Sequence, residues 1–170
     1  MQGRLAAACV LGVLALTSSG TAQDDNCRSF AWSVGRTIDL FDEPLPNVRS
    51  GQSVPKEGAF ALNLLPVADV IYPVSPDRGS DGGRGAVVTV ETIPAGRYQI
   101  ALSAEAWVDV IQENRHLPTT LQSQDKRCPG VRRSVEVEVK SLPLTLELGG
   151  AQVDRINIAV LRLWPFKWQW

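Results

Sequence analysis

The sequence predicts an all-β protein, an antiparallel β-sandwich or jelly roll, with a short N-terminal helix. Short apolar segments bounded by Pro or Gly recur along residues 58–163, at roughly the 8 to 12-residue spacing of sandwich strands. Arg133–Lys140 alternates valine with polar residues, which predicts a strand with one face in the core and a solvent-exposed face that carries Glu136 and Glu138. Strands do not alternate with long amphipathic segments, as a parallel sheet would require.

The N-terminal part, residues 23–57, is predicted to hold a helix and an irregular segment. Cys27–Phe41 places Phe30, Val34 and Ile38 four residues apart, which is the spacing of one helix face. Glu43–Lys56 contains three prolines and a Ser-Gly pair, so we expect it to run irregularly over the surface.

The first predicted strands lie on either side of a glycine-rich loop. Ala59–Leu65 and Ala68–Val74 are short apolar runs that end at Pro or Gly. Ser75–Gly85 is polar and rich in glycine, which favours a loop. Ala86–Ile93 is rich in the β-branched residues that strands favour, and Arg97–Ser103 follows a Pro-Ala-Gly turn.

The later strands are predicted from period-two alternation. Ala106–Gln112 places Trp107 and Asp109 on one face and the valines between them on the other. Further strands are predicted at Arg133–Lys140, Leu142–Leu148 and Arg155–Leu163.

Residues 1–22 are predicted to be a signal peptide. Arg4 precedes the apolar run Leu5–Leu16, and small residues typical of a signal-peptidase cleavage site follow, with Gly20 and Ala22. The run is too short to span a bilayer as a helix. We therefore expect an exported protein, periplasmic or secreted, that is cleaved after Ala22.

Removal of the signal would leave two cysteines, Cys27 and Cys128. Because the number of remaining cysteines is even and the compartment is oxidising, we expect the two to form a disulfide. The alternative, a metal site, is weak because thiolate zinc sites use closely spaced pairs and the chain has only one histidine. We expect no cofactor.

Charge and motifs argue against several functions. The chain has 17 Lys and Arg against 18 Asp and Glu, so no basic field favours nucleic acid as a partner. The only histidine, His116, lies beside Asn114 and Arg115, where we expect a solvated loop, and no Gly-x-Ser-x-Gly elbow is present. A non-catalytic binding or accessory module is therefore favoured. An Asp/Glu-based hydrolase or a metal-dependent enzyme is the alternative.

Two pairs of residues are candidates for ligand binding, and His116 is a further candidate. Trp107 with Asp109 would suit a carbohydrate, as an aromatic plane beside a hydrogen-bonding carboxylate, although a core tryptophan under an edge loop is favoured. Arg132 and Arg133 follow a cysteine and would suit an anion, or would pair with Asp125 or Asp109. The partners expected from these residues are a carbohydrate or a protein.

Asp77 and Asp81 lie among glycines and are candidate calcium ligands. Their spacing does not match an EF-hand loop, and a flexible hairpin loop is the favoured interpretation.

Four motifs carry a resemblance to a known family; they are Ala95–Tyr98 (AGRY), Ala106–Asp109 (AWVD), Cys128–Arg132 (CPGVR) and Leu146–Gly149 (LELG). Over residues 58–163 the chain resembles small exported proteobacterial β-sandwich proteins of unknown function. It is also similar to bacterial pre-peptidase C-terminal sandwich domains, which are accessory modules. Some members of the first family are labelled homogentisate dioxygenase, but an iron dioxygenase site needs two histidines. His116 is alone, so the resemblance implies export and a sandwich rather than that activity.

The last residues, 164–170, form an aromatic tail. Of the five Trp, four Phe and two Tyr in the chain, four lie here, at Trp164, Phe166, Trp168 and Trp170. Tryptophan favours membrane interfaces, so the tail predicts contact with a membrane surface or a partner. The alternative is that these rings pack on the sandwich.

We predict that removal of residues 164–170 leaves the sandwich stable but reduces its association with vesicles or with itself. The strand before the tail is already complete at Leu163, and Pro165 lacks the donor that a central strand needs. Urea denaturation should show a loss of about 0.5 kcal/mol or less. A loss of about 3 kcal/mol or more would show that the tail belongs to the core.

Overall fold

Eleven strands in two sheets make up about half of the described protein, which comprises residues 25–76 and 82–163 of a computed structural model. The strands are β1 (Asn47–Arg49), β2 (Gly58–Asn63), β3 (Leu65–Pro66), β4 (Arg84–Val90), β5 (Gly96–Leu102), β6 (Trp107–Gln112), β7 (Arg115–His116), β8 (Thr119–Gln124), β9 (Arg133–Val139), β10 (Leu144–Ala151) and β11 (Arg155–Leu163). The larger sheet has the order β1-β2-β11-β5-β9-β8, and the smaller sheet has the order β3-β4-β10-β6-β7.

The connections give the sandwich the strand order of a jelly roll. Neighbouring strands are antiparallel except for the parallel pair of β1 and β2. Without β1, β3 and β8, the orders β2-β11-β5-β9 and β4-β10-β6-β7 place most consecutive strands in opposite sheets, as in two Greek keys. The predicted all-β sandwich or jelly roll is confirmed.

The core lies between the sheets and is built by alternation along each strand. Val135, Val137 and Val139 point into it, as predicted from the period-two segment. Glu138 is exposed as expected, but the prediction that Glu136 faces solvent is wrong. Glu136 is buried, and its carboxylate lies 3.6 Å from the Arg97 guanidinium on the neighbouring β5.

The predicted strand over residues 68–74 is wrong. Val67–Asp69 forms one 3-10 turn, and residues 70–76 belong to no strand of the described part of the chain. Pro73 contributes to the difference, because proline lacks the donor that a ladder needs. Four short or exposed edge strands were also missed. In β8, for example, five of six residues are exposed, so no alternation marks the strand.

The N-terminal segment covers the outer face of the larger sheet. Its α-helix, α1, spans Gly35–Asp42 and therefore begins later than predicted, after a 3-10 turn at Asp25–Cys27. Within the described ranges, no helix has the length and apolarity needed to cross a bilayer. Phe30 and Val34 are buried against small and aliphatic side chains of β5 and β11.

A disulfide joins Cys27 to Cys128, as predicted, and ties this N-terminal segment to the turn before β9. Both cysteines are fully buried. The Trp32 indole adds a second tie, because its N–H donates to the Ser134 hydroxyl of β9 at 3.1 Å. Such a bridge is typical of proteins from oxidising compartments.

We predict that the double variant C27S/C128S loses about 4 kcal/mol of unfolding free energy in urea. The bridge closes a loop with a sequence separation of 101 residues, and chain entropy assigns about that value to a loop of this size. A variant as stable as the wild type would show that the α1 segment stays in place without the bridge.

Candidate functional site

Trp107 lies on the outer face of the smaller sheet, so the favoured prediction of a core tryptophan is wrong. Its neighbours Val108 and Val110 point into the core, whereas Trp107 and Asp109 point outward. On the adjacent strand β10, Gly149 lies opposite Trp107, and Glu147 lies opposite Asp109.

Glycines form a seat for the indole. A side chain at Gly149 would collide with the Trp107 ring, so only glycine lets the ring lie against β10. The register of β10 shifts between Leu148 and Ala151, and Gly150 within this bulge has a φ of +75°, which favours glycine. The indole is therefore held against the backbone of a bulge.

The Tyr72 ring also packs against the Trp107 indole. The two ring centroids lie 5.6 Å apart at an interplanar angle of 41°. The Tyr72 hydroxyl donates to the Leu148 carbonyl at 2.8 Å, at the edge of the bulge, and burial raises the pKa of this phenol to about 12. Gly85 of β4 leaves the space for the Tyr72 hydroxyl, since a side chain there would collide with it.

A pocket of about 320 Å³ lies beside Trp107. Its walls come from the β5–β6 loop, the β8–β9 turn and the β10 bulge, and its lining residues are Glu105, Ala106, Trp107, Gln124, Lys126, Arg132, Arg133 and Gly150. Three of the predicted site residues, Trp107, Arg132 and Arg133, thus meet in one cavity.

The pocket carries an excess of positive charge. Lys126, Arg132 and Arg133 line it together with one carboxylate, that of Glu105. Arg132 Nη1 donates to the carbonyl oxygens of Lys126 and Cys128, the latter at 3.0 Å, and Arg133 Nη1 donates to the Ala106 carbonyl at 2.8 Å. Carbonyl acceptors orient a guanidinium without cancelling its charge.

The turn that carries these arginines is fixed by the disulfide and by Asp125. The Arg127 backbone N–H donates to the buried Asp125 carboxylate at 2.9 Å and is the main reason that the pKa of this carboxyl is lowered. The Arg132 backbone N–H donates to the Leu102 carbonyl at 2.8 Å. Asp125 therefore contacts Arg127 rather than serving as the predicted partner of Arg132.

Asp109 and His116 belong to a second cluster, beyond Trp107 on the same face. Oδ2 of Asp109 lies 3.7 Å from Nδ1 of His116, and the two side chains are 14% and 22% exposed. The prediction of a solvated loop for His116 is wrong, because the residue lies in β7 and its Nε2 lies 3.2 Å from the Ser75 carbonyl oxygen.

Glu147 completes this cluster and was not predicted. It is fully buried, and Oε1 accepts the Val74 backbone N–H at 3.0 Å. Burial raises its pKa, and the nearby Asp109 charge adds to this, whereas the Val74 bond and His116 act in the opposite direction. Its position between two leucines resembles an ordinary wet strand face, so the sequence offers no signal of burial.

Several predictions lie outside the described residues. These are the signal peptide over residues 1–22, the candidate calcium ligands Asp77 and Asp81, and the aromatic tail over residues 164–170. Within residues 25–76 and 82–163, no group of three or more His, Cys, Asp or Glu side chains has an arrangement that would hold a metal ion. Comparison of the chain with protein-family models, with curated proteins and with solved structures finds no match.

We predict that Gly149→Ala displaces the Trp107 indole and costs about 1 to 3 kcal/mol of unfolding free energy, the usual cost of overpacking. Gly35→Ala is the matched control, because its added carbon would meet only the Ser33 hydroxyl, at 3.6 Å. Denaturant melts of both variants give the comparison. Equal stability of the two variants would contradict the described seat.

Proposed function

We propose that the protein is an exported, non-catalytic binding module that holds a small anionic sugar in the pocket beside Trp107. The observation that carries this proposal is the three cationic side chains around a cavity walled by a seated indole. A carboxylate would accept N–H bonds from the arginines, and the ring of the sugar would lie against Trp107. A single sugar that carries a carboxylate could make both contacts.

The charge balance favours an anion over a neutral sugar. The net charge of the lining residues is positive, because only Glu105 opposes Lys126, Arg132 and Arg133. Hydrogen bonds between charged groups contribute about 1.5 to 3 kcal/mol each. The Lys126 to Glu105 contact, 3.4 Å between two largely exposed side chains, is weak by comparison. An arriving carboxylate would therefore meet a lining with more cationic than anionic side chains.

The position of the carboxylates supports binding rather than hydrolysis. Among the described residues, the facing pair of Asp109 and Glu147 does not line the pocket, and Glu147 is fully buried. A hydrolase of the Asp/Glu type needs two carboxyl groups on either side of the scissile bond. Glu105 is the lone carboxylate among the pocket residues.

Export is part of the proposal and rests on two features. The segment of residues 1–22 has the charge and apolar pattern of a signal peptide, and the Cys27–Cys128 bridge suits an oxidising compartment. A periplasmic or extracellular protein would meet sugar acids released from polysaccharides.

We predict that the protein binds a hexuronate, for example glucuronate, more tightly than the neutral hexose glucose. The variant Arg132→Gln should lower the affinity for the hexuronate about tenfold, which is the loss expected for one charged hydrogen bond. Isothermal titration at low ionic strength measures both affinities. Added salt should lower the affinity for the hexuronate only, because screening acts on charges.

Arg155→Gln provides the matched control, since Arg155 is an exposed arginine of β11 that does not line the pocket. It should leave both affinities unchanged. Equal binding of the two sugars, no hexuronate binding at low salt, or the same loss in both variants would overturn the proposal.

A further inference from the structure

The segment Tyr72–Ser75, here called the strap, crosses the outer face of the smaller sheet and is held there by three polar contacts. Tyr72 donates to the Leu148 carbonyl at 2.8 Å, the Val74 N–H donates to Glu147 at 3.0 Å, and the Ser75 carbonyl lies 3.2 Å from His116 Nε2. Ile71, just before the strap, is 90% exposed.

Glu147 is the buried member of these contacts, and its carboxylate has only partial compensation. Oε1 accepts the Val74 N–H, whereas Oε2 is buried and has no hydrogen-bond partner among the described residues. A buried carboxylate with an unsatisfied oxygen is costly, and water would satisfy it if the strap lifted.

The groups that face Glu147 come from each neighbouring element. Asp109 faces it from β6, His116 from β7 and Tyr72 from the strap, while β4 opposes it with the uncharged Val87. Asp109 repels an ionised Glu147, and His116 attracts it when the imidazole carries its second proton. Only His116 among these groups supplies positive charge.

Rising pH therefore opposes the closed strap. Because burial and Asp109 raise the pKa of Glu147, protonated Glu147 favours the closed state, and this contribution is complete below the ordinary glutamate value. It is lost as the pH rises through the raised value, since the ionised carboxylate is better solvated with the strap lifted.

The strap also supports the pocket. The Tyr72 ring packs on the Trp107 indole, and Trp107 is a wall of the pocket. If the strap lifted, the indole would lose this neighbour and keep only its glycine seat. A less ordered wall would bind a ring more weakly, because the ligand would then have to order it.

We propose that Glu147 is a positioning residue for the pocket: it holds the strap, the strap holds Tyr72 against Trp107, and this hold weakens as the pH rises. The effect on ligand affinity rests on the proposed function. The effect on the strap does not, because it concerns the protein without ligand.

Hydrogen exchange of the ligand-free protein tests the strap directly. We expect the protection factor of the Val74 amide to fall as the pH rises above the ordinary glutamate pKa, by at most about tenfold per pH unit for one coupled proton. Glu147→Gln keeps an oxygen acceptor for Val74 but cannot ionise, so its protection should stay nearly constant. The Leu64 amide, which donates to the Asp154 carbonyl, serves as an internal reference.

Two further variants separate this role from a merely structural one. Tyr72→Phe removes the strap contact to the Leu148 carbonyl and leaves the Glu147 carboxyl in place. It should therefore lower the protection of the Val74 amide at every pH and keep the wild-type dependence of protection on pH. Glu138→Gln, an exposed glutamate of β9, should behave as the wild type. The same pH slope in the wild type and in Glu147→Gln, or an unprotected Val74 amide at about pH 5, would overturn the proposal.

Hexuronate affinity gives the second measurement. It should fall with rising pH in the wild type more steeply than in Glu147→Gln, with glucuronate as the probe. Exchange results as expected together with absent hexuronate binding would refute the proposed ligand and leave the strap mechanism standing. Equal pH dependence of affinity in the two proteins would refute the link between strap and pocket.

Discussion

A carboxylate buried on the outer face of a sheet needs a cover and a donor, and Glu147 has both in a single segment. Outer faces of antiparallel sheets are ordinarily solvated, so a glutamate there needs no partner. Here the strap supplies the Val74 N–H and excludes water. The same segment brings Tyr72 to the β10 bulge and hence to Trp107. The position of the indole thus depends on how Glu147 is satisfied.

The two outer faces of the sandwich are closed by different means, and both closures reach the pocket. On the larger sheet, apolar packing and the Cys27–Cys128 bridge hold the N-terminal segment. The bridge also anchors the turn from which Arg132 and Arg133 extend. On the smaller sheet, the strap supports the aromatic wall. The pocket lies where these two closures meet, with its charges on the disulfide side and its ring on the strap side.

The sequence predicted the repetitive part of this architecture and little of its site. The residue pattern located β9 to within one residue and gave the exact bounds of β11, because alternating and β-branched residues mark strands whether or not both faces become buried. The strand expected at 68–74 was wrong because a 3-10 turn takes up its first residues and Pro73 has no backbone donor for a ladder. Glu147 was missed because its burial depends on a segment about 73 residues earlier in the chain, a contact that no local pattern encodes. Trp107 and the two arginines were named, but their meeting in one cavity required the jelly-roll connections.

The central claim is that an anionic ring lies against Trp107 in this pocket. The most direct test is the indole N–H resonance of Trp107 in ¹⁵N-labelled protein during titration with glucuronate, with the Trp32 indole, held by Ser134, as a reference. A saturable shift of the Trp107 resonance alone, absent when glucose is added, is the expected result. An unchanged Trp107 resonance, or the same shift with the neutral sugar, would contradict the claim.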